Sequence, residues 1–281
     1  MSDERRVEIA IALCRAYRDS ENLTEAVRVG EEVLGAANRP TWSDLLVELG
    51  ATLLSAYLER GDLLRARQFA AELLNASDTL GTPRSTVAAH WNAAYVADAT
   101  GHSEEALTFA ERAMAVQAET GQPRNVARMR VAIAQLRLRN RREDAQAARE
   151  SLSKALSDVS QTSVSTVDRA RTMLELARAE LIMDDVAVAA EHASEARAML
   201  PDTALAIGAE ASLLVSFACA SVGRTEEAHR QVASVRDWLA PLPNSRRSSA
   251  TWYAAAESFE TLGDQGSAVE AYQRALACAG L

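Results

Sequence analysis

Aromatic residues make up only 5% of the 281 positions, and most apolar positions are alanine, leucine or valine. That balance suits closely stacked helices and argues against sheets. Three cysteines, Cys14, Cys219 and Cys278, are too few and odd in number for a disulfide framework, and read as small buried hydrophobes in a reduced compartment. The four histidines, His90, His102, His192 and His229, are scattered without metal-ligand spacing. No glycine-rich phosphate loop occurs, and no cysteine has a histidine nearby in sequence, so no enzyme, metal or cofactor is expected. No apolar run approaches 18 residues, and MSDERRVEIA lacks the pattern of a signal peptide. We therefore expect no membrane partner and a cytoplasmic protein. A net charge of −9 excludes a uniform polycation for nucleic acid or membrane.

What the chain does have is a period. In Val87 to Glu119, two helical stretches flank Thr100-Gly101-His102, and Ala106 follows Gly101 by five residues. The same spacing recurs in Gly61 with Ala66, Gly223 with Ala228, and Gly263 with Ala268. Taking the small alanine as a ruler gives Ala26, Ala66, Ala106, Ala145, Ala189, Ala228 and Ala268, at steps of 40, 40, 39, 44, 39 and 40. Seven residues after each stands another apolar residue: Val33, Leu73, Ala113, Leu152, Ala196, Val235 and Ala275. The ruler marks one buried face of the second helix of each pair.

These marks predict a single all-α domain over 1–281, made of seven helix pairs at about 3–38, 42–79, 84–119, 123–158, 164–199, 202–240 and 247–279. The connections between pairs hold the breakers, in Asn38-Arg39-Pro40, Gly81-Thr82-Pro83, Gly121-Gln122-Pro123, Pro201-Asp202 and Pro241-Leu242-Pro243-Asn244. The longest step coincides with the polar run Ser157 to Ser163, expected to be a longer loop. Without a flexible linker, the pairs should stack as one continuous superhelix.

Two stretches, Ser55 to Ala66 with Tyr57 and Gly61, and Leu262 to Tyr272 with Gly263 and Ala268, resemble the tetratricopeptide repeat (TPR). The fourth and fifth pairs depart from it, with Asn140 and Asp184 where glycine is expected. The longer period, together with ETGQPRNVAR and DTLGTPRSTVAAHWNAAYVADATG, resembles the sensor half of actinobacterial helix-turn-helix transcription regulators, and more distantly the peptide-pheromone receptors of Gram-positive bacteria. The resemblance implies a right-handed α-solenoid that binds a peptide or protein segment in transcription regulation or signalling. It also implies that nucleic acid is reached only through a separate or missing DNA-binding domain, because the repeats begin almost at Met1. Cys14 to Ala26 can be forced into a helix-turn-helix, but Ala26 and Val33 keep the repeat register and the preceding helix is weakly basic.

Stacked pairs coil with their first helices on the concave side. In the third pair that face would carry Trp91, Asn92, Tyr95 and Asp98. Asn92 resembles the amide clamp of TPR grooves, whereas Trp91 and Tyr95 either form a peptide-binding wall or pack on the neighbouring pair. The fourth pair would project Arg130 and Arg137, and the fifth Arg171 and Arg178 with Glu175 beside them. Forked guanidinium donors suit a carboxylate such as a peptide end; the alternative is pairing with nearby acids. Phe217, Tyr253 and Glu257 would extend the groove, or Tyr253 and Trp252 would cap the final pair.

Gly121 to Glu150 holds eight arginines against three acids, a local charge of +5, while Lys154 is the only lysine in the chain. This cluster is either a binding surface or a solvated face. The leading expectation is a non-enzymatic module that binds a peptide or partner segment. The alternatives are a self-associating scaffold, with a homodimer as its simplest form, and a regulator touching DNA through its arginine-rich fourth pair.

Overall fold

The computed structural model describes residues 2–20, 22–36, 41–120, 123–161, 166–242 and 244–280. The connection Asn38-Arg39-Pro40, the junction Gly121-Gln122, Thr162, Ser163 and Pro243 lie outside the described residues. Those described form fourteen α-helices: α1 Asp3–Asp19, α2 Leu23–Ala36, α3 Asp44–Arg60, α4 Leu63–Leu80, α5 Pro83–Ala99, α6 Ser103–Thr120 and α7 Pro123–Asn140, followed by α8 Ala145–Gln161, α9 Thr166–Ile182, α10 Val186–Met199, α11 Leu205–Ser221, α12 Thr225–Leu239, α13 Arg246–Thr261 and α14 Gln265–Ala279. A 3-10 turn, Arg142–Asp144, precedes α8. Because α8 runs to Gln161, most of the polar run after Ser157 is helix rather than the expected loop.

Short-range chemistry sets the helix ends. Ser2, Ser43, Thr82 and Ser245 each accept a hydrogen bond from the backbone amide three residues on, which caps α1, α3, α5 and α13. The turn inside a pair closes with an amide bonding the carbonyl five residues back: Asn22 to Tyr17, Asp62 to Tyr57, His102 to Ala97, Asp185 to Glu180, Arg224 to Cys219, and Asp264 to Phe259. The residue before this amide sits at left-handed φ in Gly61, Gly101, Gly223 and Gly263, and in Asp184 at φ 65°. Asn140 holds the same place in the fourth pair but stays in the helix, and there the Arg141 amide bonds the Arg137 carbonyl, only four residues back. Here the helix runs through the position where the other turns carry a left-handed residue, although Asn140 stands five residues before Ala145 as the glycines stand before their alanines.

Contacts divide the chain into two compact units, Met1–Val126 and Ala127–Leu281. In the first, α1 packs on α3 and α3 on α5, while α2 and α4 each pack against two of these first helices. In the second, α9 packs on α11 and α11 on α13, with α10 and α12 behind them, and α7 joins α8 and α9 in one apolar cluster. Within each unit the first helices thus form one layer, the second helices another, and the far face of the first layer is open. All seven ruler alanines are buried, because a methyl group lets the neighbouring helix approach closely.

Candidate functional site

In the first unit, α5 carries Trp91 and Tyr95 one turn apart, with ring centroids 5.3 Å apart in an edge-to-face contact. Tyr95 is exposed and Trp91 half-buried. Asn92, also half-buried, accepts a 2.9 Å hydrogen bond from the Ser55 hydroxyl of α3, and its Nδ2 donates at 2.9 Å to the Ala88 carbonyl. Its amide is therefore engaged on both sides, as a tie between α3 and α5. Asp98 lies one turn beyond Tyr95 and is half-buried. A second tie lies along the same helices, where Glu48 of α3 accepts from Arg15 of α1 at 2.8 Å and from Arg84 of α5. Burial raises the Glu48 carboxyl, but the two arginine hydrogen bonds outweigh it and hold the group below the usual carboxylate range.

The second unit repeats this tie with different chemistry. Glu175 of α9 stands fourteen residues before its ruler alanine, as Asn92 does, and Gln135 of α7 bonds it as Ser55 bonds Asn92. Glu175 is almost fully buried, at 2% exposure. Its Oε1 accepts from Arg178 Nη1 at 2.7 Å and from Gln135 Nε2 at 3.1 Å, while Oε2, equally buried, has no hydrogen-bond partner. Leaving a buried acceptor unpartnered costs about 1–3 kcal/mol. Burial also pushes the Glu175 carboxyl up, and Arg178 opposes this only in part.

Two cavities flank this pair on the open face, and they share Arg178 and Phe217. One, of about 640 Å³, lies among α7, α9 and α11 and includes Leu138, Arg139, Arg142 and Ile182. The other, of about 490 Å³, lies among α9, α11 and α13 and includes Glu210, Arg247 and Glu257. Both volumes fall in the range of about 300–1,000 Å³ usual for ligand pockets. Phe217 is 53% exposed, so a large apolar surface faces the space between them.

The expected residues divide accordingly. Glu175 and Arg178 meet at the centre, and Phe217 and Glu257 join them on the cavity walls. Arg171 is exposed one turn before Glu175. Arg130 instead turns toward α8 and pairs with Asp158 at 2.5 Å, and Arg137 is half-buried outside both cavities. Their places are taken by Gln135 and Arg139, which the sequence reading missed. Gln135 stands ten residues before its ruler alanine where Ser55 stands eleven, so the tying position on α7 is one residue later relative to the ruler; the changed fourth-pair motif, Asn140 in place of glycine, was the available signal. Tyr253 packs edge-on against Tyr272 of α14 at 5.5 Å, and Trp252 is buried in the apolar cluster of the last two pairs.

The arginine-rich stretch is substantially neutralised by its neighbours. Arg128 makes two hydrogen bonds to Asp168, at 3.0 and 2.9 Å, Arg130 pairs with Asp158, and Arg149 with Asp185. Among the described residues, no group of three or more His, Cys, Asp or Glu could hold a metal, and no helix is long and apolar enough to cross a membrane.

No protein-family model matches the chain, and no curated protein does. Solved structures do. RapI in its apo form is 14% identical, covers 97% of this chain and is itself 97% covered, with a TM-score of 0.71. A Rap protein complexed with competence and sporulation factor is 14% identical over 99% of this chain and 77% of its own, at 0.70. A protein from Podosopora anserina, described as kinesin light chain TPR-like repeats, is 22% identical over 71% of this chain and 96% of its own, at 0.59. Likeness at such low identity speaks for architecture alone, and with the seven helix pairs it establishes that this chain has the tetratricopeptide-repeat fold.

Proposed function

We propose that this protein is a non-enzymatic binding module that takes a peptide or partner-protein segment on the open face of its first helices. The observation that carries this reading is the centre of the second unit, where a buried carboxylate with one unpartnered oxygen lies beside an exposed phenylalanine between two cavities. Phe217 would supply the area to be desolvated, and Arg178 with Glu175 the orientation. In the first unit, Trp91 and Tyr95, with Asn92 and Asp98 beside them, offer a smaller aromatic patch for the same purpose. The setting we infer is transcription regulation or signalling in the cytoplasm, with any nucleic acid contacted through another domain. The architectural likeness to a Rap protein complexed with competence and sporulation factor supports it.

The test is affinity selection from a synthetic random-peptide pool on the whole protein, with mass spectrometry as readout. Retained peptides should lose affinity by about tenfold or more in Phe217→Ala, the loss expected for an aromatic anchor. An empty selection, or binding indifferent to both Phe217→Ala and Arg178→Ala, would refute the assignment.

Self-association is a second reading, favoured by Val269 and Leu276, seven residues apart on α14 and 55% and 53% exposed. Light scattering should then show a dimer that Val269→Glu dissociates; a monomer at high concentration would remove it.

A further inference from the structure

The smaller cavity, of about 490 Å³, has an apolar lining formed by Leu213, Leu214 and Phe217 of α11, with Ala254 of α13 and Leu262 just after that helix. The cationic and hydroxyl groups around it are already engaged. Arg247 donates to Glu210 at 2.8 Å and Arg178 to Glu175 at 2.7 Å, so each guanidinium carries its own carboxylate. The hydroxyls of Thr251, Ser258 and Thr261 donate back to carbonyls of α13 itself. An incoming anion would therefore have to displace a contact the protein already makes. Glu257 is the exception: it is exposed, lines the cavity and joins no ion pair among the described residues. Two arginines thus stand against three carboxylates, counting Glu175 with Arg178, and the charge left over is negative.

The repeat register brings this carboxylate beside an aromatic face. Glu257 stands eleven residues before its ruler alanine, Ala268, as Phe217 stands before Ala228, so the two occupy one level of neighbouring first helices that pack on each other. Packed helix axes lie about 8–10 Å apart, a span that one ammonium group between the two side chains bridges. Phe217 is 53% exposed, and an aromatic ring attracts a cation through its negative face. We propose that this cavity binds an organic cation, an ammonium group carried on an apolar body. The ammonium lies between the Phe217 ring and the Glu257 carboxylate, and the body covers Leu213, Leu214 and Leu262. Two sources share this chemistry: a free apolar amine, and a lysine side chain of a bound segment. The inference rests on the open-face binding reading above and specifies the charge and shape of what one part of that face selects.

The experiment titrates the whole protein by isothermal calorimetry with three probes of matched skeleton: phenethylamine, phenethyl alcohol and phenylacetate. A second arm uses a peptide with both ends blocked and a lysine between leucines, beside the same peptide with that lysine acetylated. Phenethylamine should bind about tenfold more tightly than the alcohol, the combined effect of a partly exposed ion pair and a cation–π contact, and phenylacetate most weakly. Glu257→Gln should abolish the preference for the amine, and because Glu257 is exposed this variant leaves the core intact. Phe217→Ala should weaken amine and alcohol together. Binding of the lysine peptide without phenethylamine would sustain the site and identify a basic side chain as its source; binding of phenethylamine alone would identify a free amine. An amine that binds no better than the alcohol, a preference that survives Glu257→Gln, or no binding by any probe would overturn the inference. Each of these failures leaves the binding module standing if the random-peptide selection retains peptides that depend on Phe217, and an empty selection sinks that reading separately.

Discussion

Replacing Asp184 and Asn140 by glycine, one at a time, should change stability in opposite directions. Both are polar residues at the place where four other pairs carry glycine, but Asp184 adopts φ 65° whereas Asn140 remains helical. A non-glycine residue in the left-handed region costs about 1 kcal/mol, less for Asp than for most. Glycine removes that cost and gives back about 0.5 kcal/mol through its greater freedom when unfolded, so Asp184→Gly should stabilise by about 0.5 kcal/mol. Asn140→Gly loses the 2.9 Å hydrogen bond from its Nδ2 to the Leu136 carbonyl, worth about 0.5–1 kcal/mol, and a few tenths of helix propensity. It should destabilise by about 1 kcal/mol. Urea unfolding followed by far-ultraviolet circular dichroism resolves a difference of this size. If Asn140→Gly stabilised the protein as Asp184→Gly does, the fourth turn would be an ordinary one.

Further outcomes follow from individual contacts. Gly208→Ala should destabilise by about 1–3 kcal/mol, since a Cβ there would lie 2.5 Å from the Trp238 ring, over which the Arg197 guanidinium also packs, 4.4 Å from the centroid; an unchanged urea midpoint would contradict the close packing. Glu48, with its depressed pKa, contributes stability that is present above the ordinary carboxylate range and is lost as pH falls through the lowered value. The destabilisation caused by Glu48→Gln at neutral pH should therefore vanish on acidification, and a gap that persists in acid would argue against the arginine pairing. Glu175 has the opposite sign, because its raised pKa makes stability decline as pH climbs from the ordinary carboxylate range through the raised value. Glu175→Gln should flatten that limb in urea titrations at successive pH values. Finally, Arg139→Gln should weaken ligand binding while Arg130→Gln, which breaks the Asp158 pair on the α8 side, should leave affinity unchanged; the reverse result would return the site to the face expected from the repeat register.

Repeat number, helix positions and the buried stripe of ruler alanines were legible in the residues alone. Each depends on interactions within a few positions: a hydroxyl capping an amide three residues on, a left-handed glycine, a methyl where another helix must approach. Glu175 and Arg178 were legible for the same reason, as neighbours one turn apart on a helix whose turn keeps the common register. What the tertiary structure decided was which side chains of α7 reach the cavity, Gln135 and Arg139 and not Arg130 or Arg137. At Arg141 the amide still bonds the carbonyl four residues back, so α7 runs through Asn140 without altering the period of the apolar residues. It also decided which acid each arginine meets, as with Arg128 and Asp168, 40 residues apart. The unpartnered oxygen of Glu175 is of the same kind. An unmet hydrogen bond is a property of everything packed around an atom, and no spacing along the chain records it.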